Sequence, residues 1–185
     1  PFYCSRQTRL NLSMLLLLII GGIEVNPGPS SSLNLTFGML NTRSVVNKAP
    51  LLQSLITDND LSILAVTKTW IKSDDPPVII NGPAPPGYRI LHVHRDNPDQ
   101  NRGGGLADIH RDTINIQPRK HKINHSSFEL QLVNITLQSR DIVLANIYRP
   151  PSSSKSLFFE EFGSLLTNLG TEVVDRLIIC GDFNL

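Results

Sequence analysis

Short apolar runs of strand length alternate with two apolar stripes of helical spacing from Leu35 to Cys180. The runs predict strands at Leu35–Leu40, Ile63–Val66, Tyr88–His94, Leu106–Ile109, Phe128–Ile135, Ile142–Tyr148 and Leu177–Cys180. The stripes predict one helix through Leu51, Leu52, Leu55 and Ile56, and another through Phe158, Phe159, Phe162, Leu165, Leu166 and Leu169. Residues 74–87 hold five prolines and two glycines and predict a long loop. This interleaving predicts an α/β or α+β domain whose sheet layers are covered by helices.

Length and charge limit the classes of protein that fit this pattern. A chain of 185 residues has room for one ordinary domain with a real core. With 17 Lys and Arg against 16 Asp and Glu, the net charge of +1 excludes a polybasic coat but not a local basic site. Cys4 and Cys180 are the two cysteines, which excludes a disulfide-stapled scaffold and a CxxC metal site.

An apolar segment, Leu10–Ile20, precedes the predicted domain. It is too short for a stable membrane span, which needs about 20 apolar residues. With Arg6 and Arg9 before it and Gly21-Gly22 after it, the segment resembles a signal peptide. A secretory route is therefore one interpretation of this leader.

The residues after this segment end in Asn-Pro-Gly-Pro and support a second interpretation. They resemble the picornavirus-type ribosome-skipping peptide at Ile23, Glu24, Asn26, Pro27, Gly28 and Pro29, and depart from it at Gly22, where that family has Asp. The resemblance implies that the Gly28–Pro29 bond is not formed, because Pro29 is a poor nucleophile and the turn misplaces the ester carbonyl. A plain Pro-Gly turn is the alternative, and the same apolar run could serve both as signal and as skipping peptide.

Domain boundaries follow from these segments. We assign residues 1–29 to the leader, residues 30–34 to a Ser-rich linker, and residues 35–185 to the folded domain.

Polar residues cluster where the predicted strands end. Asn41 follows the first strand, and Lys68 and Trp70 follow the second; Tyr148-Arg149 and Asp182-Phe183-Asn184 follow two later ones. Polar groups at strand ends that face one edge build many sites in α/β and sandwich enzymes. Each residue alone also has a structural explanation: a turn for Asn41, a packed ring for Tyr148 and a cap for Asp182.

Five motifs, taken in order, resemble the endonuclease/exonuclease/phosphatase family. They are Asn41-Thr42-Arg43-Ser44, Thr67-Lys68-Thr69-Trp70, Arg102-Gly103-Gly104-Gly105, Asn146-Ile147-Tyr148-Arg149-Pro150 and Gly181-Asp182-Phe183-Asn184. The resemblance covers about residues 33–185 and looks closest to the apurinic/apyrimidinic-type endonuclease domain that opens the polyprotein of non-LTR (LINE-like) retrotransposons. It implies a four-layer α-β-β-α sandwich with its C-terminal part missing, and a nuclear or cytoplasmic location.

The resemblance also implies chemistry and partners. The family hydrolyses a DNA phosphodiester with Mg²⁺, and the parent polyprotein supplies retroelement RNA binding and reverse transcriptase. By resemblance, Asn41 and Asp182 hold the metal, and Asp182 orients or deprotonates the attacking water. Asn184 binds the scissile phosphate, Tyr148 donates a hydrogen bond to it, and Arg149 adds positive charge. Gly103–Gly105 form a tight turn with a structural role.

Two departures from the family pattern predict a copy with impaired catalysis. Lys68 stands where the family has its main metal-ligating Glu, and an ammonium group has no lone pair for a metal and repels it. A deprotonated or phosphate-binding Lys68 is the alternative. The family's Ser-Asp-His segment would fall beyond Leu185, because the five histidines come too early: His92, His94, His110, His121 and His125. Asp108 and His110 interrupt an apolar strand, which indicates drift or a wet face.

Two further hypotheses remain open from the sequence. The first is a non-catalytic module that holds nucleic acid through phosphate contacts from Arg43, Lys72, Arg95, Arg102, Arg111 and Arg149. The second is a secreted protein led by Leu10–Ile20.

Overall fold

Two β-sheets form the centre of the fold. The computed structural model describes residues 18–20, 35–94, 103–137, 140–172 and 176–185. The ribosome-skipping motif from Glu24 to Pro29, the Ser-rich linker, Arg95 and Arg102 lie outside these residues. Within the described part, no helix is both long enough and apolar enough to cross a bilayer.

The described elements are nine strands and three helices, with five strands in succession between the second and third helices. They are β1 Leu18–Ile20, β2 Phe37–Asn41, α1 Ala49–Asp58, β3 Ile63–Thr67, α2 Pro77–Asn81, β4 Tyr88–Val93, β5 Leu106–Arg111, β6 Asn115–Pro118, β7 Glu129–Leu137, β8 Arg140–Tyr148, α3 Lys155–Glu172 and β9 Leu177–Asp182. One sheet has the order β1-β9-β8-β7-β6, and the other has the order β2-β3-β5-β4.

Three layers of apolar contacts hold the sheets and helices together. Phe158 and Leu165 of α3 pack on one face of the five-stranded sheet, against residues such as Ile147. Leu52 and Ile56 of α1 pack on the outer face of the four-stranded sheet, together with α2. Between the sheets lie Ile63, Ala65, Val133, Leu144 and Cys180. The predicted α-β-β-α sandwich is therefore confirmed for the described residues.

Three short elements differ from the sequence prediction. Pro77–Asn81 is a helix inside the predicted long loop, and it begins with proline at its first turn, where the missing N–H costs nothing. Asn115–Pro118 is a strand that the apolar pattern missed, because only Ile116 in it is buried. The last three residues of the apolar segment, Leu18–Ile20, form a strand that pairs antiparallel with β9, with Leu18 opposite Ile179.

Strand direction brings several strand ends to one edge of the sandwich. β2 and β3 run parallel, with Asn41 opposite Thr67, and β8 and β9 run parallel, with Tyr148 opposite Asp182. β7 begins beside them, because Glu129 is opposite Tyr148. Alternation along the strands turns Glu129, Tyr148 and Asp182 to the same face as Asn146, whose amide reaches carbonyls of the other sheet. These side chains therefore lie where the two sheets meet at that edge.

Candidate functional site

Two loops beyond the ends of β2 and β3 are joined by backbone hydrogen bonds. Thr42 N–H donates to Thr67 O at 3.0 Å, and Ser44 N–H donates to Lys68 O at 2.8 Å. Trp70 N–H donates to Gly104 O at 3.0 Å, which ties in the glycine turn before β5. Backbone bonding of this kind fixes the loops as one rigid rim around the strand ends.

Backbone strain is concentrated in this rim and in the segment after β9. Left-handed φ angles are found at Arg43 (48°), Ser44 (85°), Lys68 (57°), Trp70 (60°) and Asn184 (46°). Among the described non-glycine residues, Asp60 is the sole further example. Such conformations cost on the order of 1–3 kcal/mol each and persist where the surrounding structure enforces them, as at functional sites.

The Asp182 carboxylate lies at the centre of the site. Its Oδ2 accepts a hydrogen bond from Asn41 Nδ2 at 2.6 Å and forms an ion pair with Lys68 Nζ at 2.7 Å. The side chains of Lys68 and Asp182 are 14% and 3% exposed. Lys68 Nζ lies 5.0 Å from the centre of the Tyr148 ring, a cation–π contact. Four of the residues singled out in the sequence are thus linked by contacts through Asp182 and Lys68, while their catalytic roles stay predictions.

Arg149 and Asn184 bind each other beside this centre. Arg149 Nη1 donates to Asn184 O at 2.6 Å, and Asn184 Nδ2 donates to Arg149 O at 2.6 Å. The Arg149 guanidinium also donates to Ser153 O and packs over the Phe158 ring, and the residue is 1% exposed. These contacts hold the segment after β9 in place. The phosphate role predicted for Arg149 stays a prediction, and it would require the guanidinium to leave these carbonyls.

Glu129 is a site neighbour that the sequence analysis missed. Its Oε2 accepts a hydrogen bond from Gly105 N–H at 2.6 Å, which links β7 to the glycine turn of the other sheet. Gly105 has a φ of 82°, and an added Cβ would lie 2.4 Å from Thr69 Oγ1, so this turn needs glycine. The sequence feature that could have indicated this position is the alternation of Glu129 and Gln131 with leucines along β7, which places both polar residues on one face of the strand.

A second polar cluster is buried between the sheets, directly behind the site. Asp108 is 0% exposed, and its Oδ1 accepts a hydrogen bond from Asn146 Nδ2 at 3.2 Å. Burial raises the pKa of Asp108 to about 7, and burial followed by the nearby Asp108 raises the pKa of the Cys180 thiol. The wet face suggested by Asp108 and His110 is wrong: both residues are buried, His110 at 3% exposure, because the second sheet covers this strand.

The residues at the centre do not fit a magnesium ion. Mg²⁺ takes about six oxygen ligands in near-octahedral geometry. Here the one carboxylate at the centre shares Oδ2 between an ammonium and an amide N–H donor. At about 4 Å and an effective dielectric constant near 20, each pair of unit charges interacts by about 4 kcal/mol, so the ammonium would strongly repel a divalent ion. Over the described ranges, no group of three or more His, Cys, Asp or Glu side chains could hold a metal.

This combination of a two-sheet sandwich and polar strand ends at the inter-sheet edge defines the endonuclease/exonuclease/phosphatase fold class. The endonuclease domain of TRAS1, a telomere-specific non-LTR retrotransposon, matches with a TM-score of 0.55 and 16% identity over 79% of this chain and 57% of that chain. The AP endonuclease LMAP from Leishmania major matches with a TM-score of 0.59 and 11% identity, over 80% of this chain and 54% of that chain. D. rerio TDP2 complexed with single strand DNA product matches with a TM-score of 0.56 and 11% identity, over 82% of this chain and 61% of that chain.

These likenesses establish the fold. The chain spans 54–61% of the length of the three structures. No family model matches the chain, and no curated protein matches it.

Proposed function

We propose that this chain is part of a phosphodiester-processing domain of a non-LTR retrotransposon polyprotein, and that its strand-end site contacts target DNA. The observation that carries the proposal is a chain of contacts at a single strained edge: Asn41 and Lys68 both contact Asp182, and Lys68 also contacts the Tyr148 ring. A retrotransposon endonuclease and a TDP2 bound to single strand DNA product among the structural neighbours support it.

The side chains of the site suit contact with a phosphate group. Lys68 carries three ammonium N–H donors, one of which is directed at Asp182. The Tyr148 hydroxyl is a further donor by its chemistry, and the Asn184 amide, which gives one N–H to Arg149 O, has a second N–H for a phosphate oxygen. Asp182 is the carboxylate that would orient an attacking water. Because Lys68 and Asn41 both hold Asp182 Oδ2, we propose that this copy binds phosphodiesters but hydrolyses them poorly.

Plasmid nicking tests this proposal. The purified chain is expected to leave supercoiled plasmid intact in Mg²⁺, because Lys68 occupies the centre of the site. The measurement is conversion of supercoiled to open-circular plasmid on agarose gels, with Asp182→Ala as the matched variant. Nicking that disappears with chelator and with Asp182→Ala would overturn the proposed impairment.

We further propose that the leader acts in ribosome skipping at Gly28–Pro29, as its resemblance implies. In translation without membranes, a reporter fused after Pro29 is expected to give two products, separated before Pro29. Pro29→Ala should restore a single product, because alanine is a competent nucleophile. Gly22→Asp should increase the separated share, since it restores the family residue. One uncut product from the unchanged sequence would contradict the idea, and protease protection with microsomes would favour the signal-peptide alternative.

A further inference from the structure

Cationic side chains and an exposed aromatic ring lie on or against the two joined loops that follow β2 and β3. Lys48 Nζ donates to Thr42 O and lies 3.3 Å from Arg43 O, so it is held against the first loop. Arg43 is exposed, and Trp70 in the second loop is 37% exposed. The backbone of Trp70 is held in place, because its N–H donates a hydrogen bond to Gly104 O and its φ is a left-handed 60°. An exposed indole on a fixed backbone is a stacking surface for a base.

The charges of this rim leave a positive excess. The Lys68 ammonium neutralises the Asp182 carboxylate at the centre. Within the part of the chain that the structure describes, no ion pair with an acidic side chain involves Arg43 or Lys48. The Glu129 carboxylate on the glycine turn offsets one of these two cations, so a positive excess remains to attract a phosphate backbone, and a bound metal ion is not needed to offset Asp182.

We propose that the Lys68 ammonium takes the place of a metal ion at this edge, so that the edge binds single-stranded DNA without a divalent cation. Lys68 contacts a phosphate, Arg43 and Lys48 attract the neighbouring phosphates, and Trp70 stacks on an unpaired base. A single strand is favoured because a base inside a duplex has no free face for the indole. This inference rests on the DNA contact proposed above, and adds that the contact is independent of metal.

Binding to a labelled oligothymidylate of about 12 nucleotides tests the proposal. The full chain is titrated into the oligonucleotide in EDTA and in Mg²⁺ at matched ionic strength, and fluorescence anisotropy reports binding. We expect binding in EDTA that is at least as tight as in Mg²⁺. Lys68→Glu should weaken binding in EDTA by about tenfold, and Trp70→Ala by a similar factor, within the range of one stacking contact.

Arg176→Glu is the matched control for the change of charge. Arg176 is exposed and precedes the opposite end of β9, about 20 Å from Asp182 along the strand. This control is expected to stay within about twofold of the unchanged chain, since exposed charges farther apart than a Debye length of about 10 Å are screened. Lys68→Gln serves as a second variant if Lys68→Glu does not keep its far-UV circular dichroism spectrum.

The outcomes separate this inference from the proposed function. Binding that requires Mg²⁺ would overturn the metal-independent site but leave the DNA contact standing. Absence of DNA binding in both buffers would overturn the proposed function itself. Equal losses in Lys68→Glu and Arg176→Glu would show general charge attraction and overturn the role of Lys68. Duplex DNA bound as tightly as the single strand would overturn the role of Trp70.

Discussion

Asp108→Asn is expected to make the protein more stable at about pH 8, by roughly 3 to 5 kcal/mol. Asp108 is fully buried on β5, and its Oδ2 has no hydrogen-bond partner among the described residues. An ionised carboxylate in such a place loses its hydration, and the hydrogen bond from Asn146 Nδ2 compensates only part of that cost. The neutral amide avoids that cost and adds an N–H donor beside Asn146, whose Oδ1 also has no partner within the described ranges.

The pH dependence of this effect has a defined sign. Burial raises the pKa of Asp108 from 3.8 to about 7, so the folded protein binds this proton more tightly than the unfolded chain does. The contribution of Asp108 to stability is therefore largest below about pH 4, falls as the pH rises to about 7, and is then constant. Asp108→Asn removes this loss of stability, because asparagine does not ionise.

Chemical denaturation at several values between about pH 5 and pH 8 measures the effect, as the difference between the variant and the unchanged chain. Burial lowers the pKa of His92 and His110, so these residues reduce the stability of the fold as the pH falls, opposite to Asp108. Their contribution is nearly the same in the variant and in the unchanged chain, so it largely cancels when the two stabilities are subtracted. Asp112→Asn, at an exposed aspartate after β5, is the matched control and should show little change. A difference for Asp108→Asn that is the same at all pH values would contradict the argument.

Much of the fold was predictable because apolar content and burial agree along most strands. β3 is an apolar run, and all of its residues are buried, so the run itself predicts a covered strand. β6 escaped prediction because three of its four residues, Asn115, Gln117 and Pro118, are exposed, so it has no apolar run. It is a strand because it pairs with β7. α2 escaped because its proline-rich setting indicates a loop, while packing of Ile79 and Ile80 on the core stabilises a short helix.

The centre of the site was predictable for a different reason. Asn41, Lys68, Tyr148 and Asp182 each follow an apolar run, and strand direction then decides that the ends meet. What lies around the centre depends on contacts between sheets, which no local pattern shows.

Three residues illustrate that limit. Glu129 meets Gly105 from the other sheet, 24 positions away in the sequence. Asp108 resembles a solvent-facing residue until the second sheet covers it. Arg149 has the charge of a phosphate ligand, yet its guanidinium is bonded to backbone carbonyls in the interior.

Gly181→Ala is expected to destabilise the protein severely, with loss of the pairing between β8 and β9. An alanine Cβ at this position would lie 1.9 Å from Ile147 O and 2.7 Å from Ile147 C, and these backbone atoms cannot move without breaking the sheet. Gly181 also has a φ of 148°, which favours glycine. The clash is therefore expected to cost more than the 4–5 kcal/mol that marks exceptional substitutions.

The same substitution tests how the site is assembled, because Gly181 immediately precedes Asp182 and is paired with Ile147, next to Tyr148. Gly163→Ala is the matched control: Gly163 lies within α3, and an added Cβ there has nothing within 4 Å. It should stabilise the helix by about 0.5–1 kcal/mol, since alanine is the better helix former. Thermal unfolding of both variants, together with oligothymidylate binding below the transition, gives the comparison. A Gly181→Ala protein that unfolds near the temperature of the unchanged chain would show that β8 and β9 can separate at this point, and that the site does not depend on their close approach.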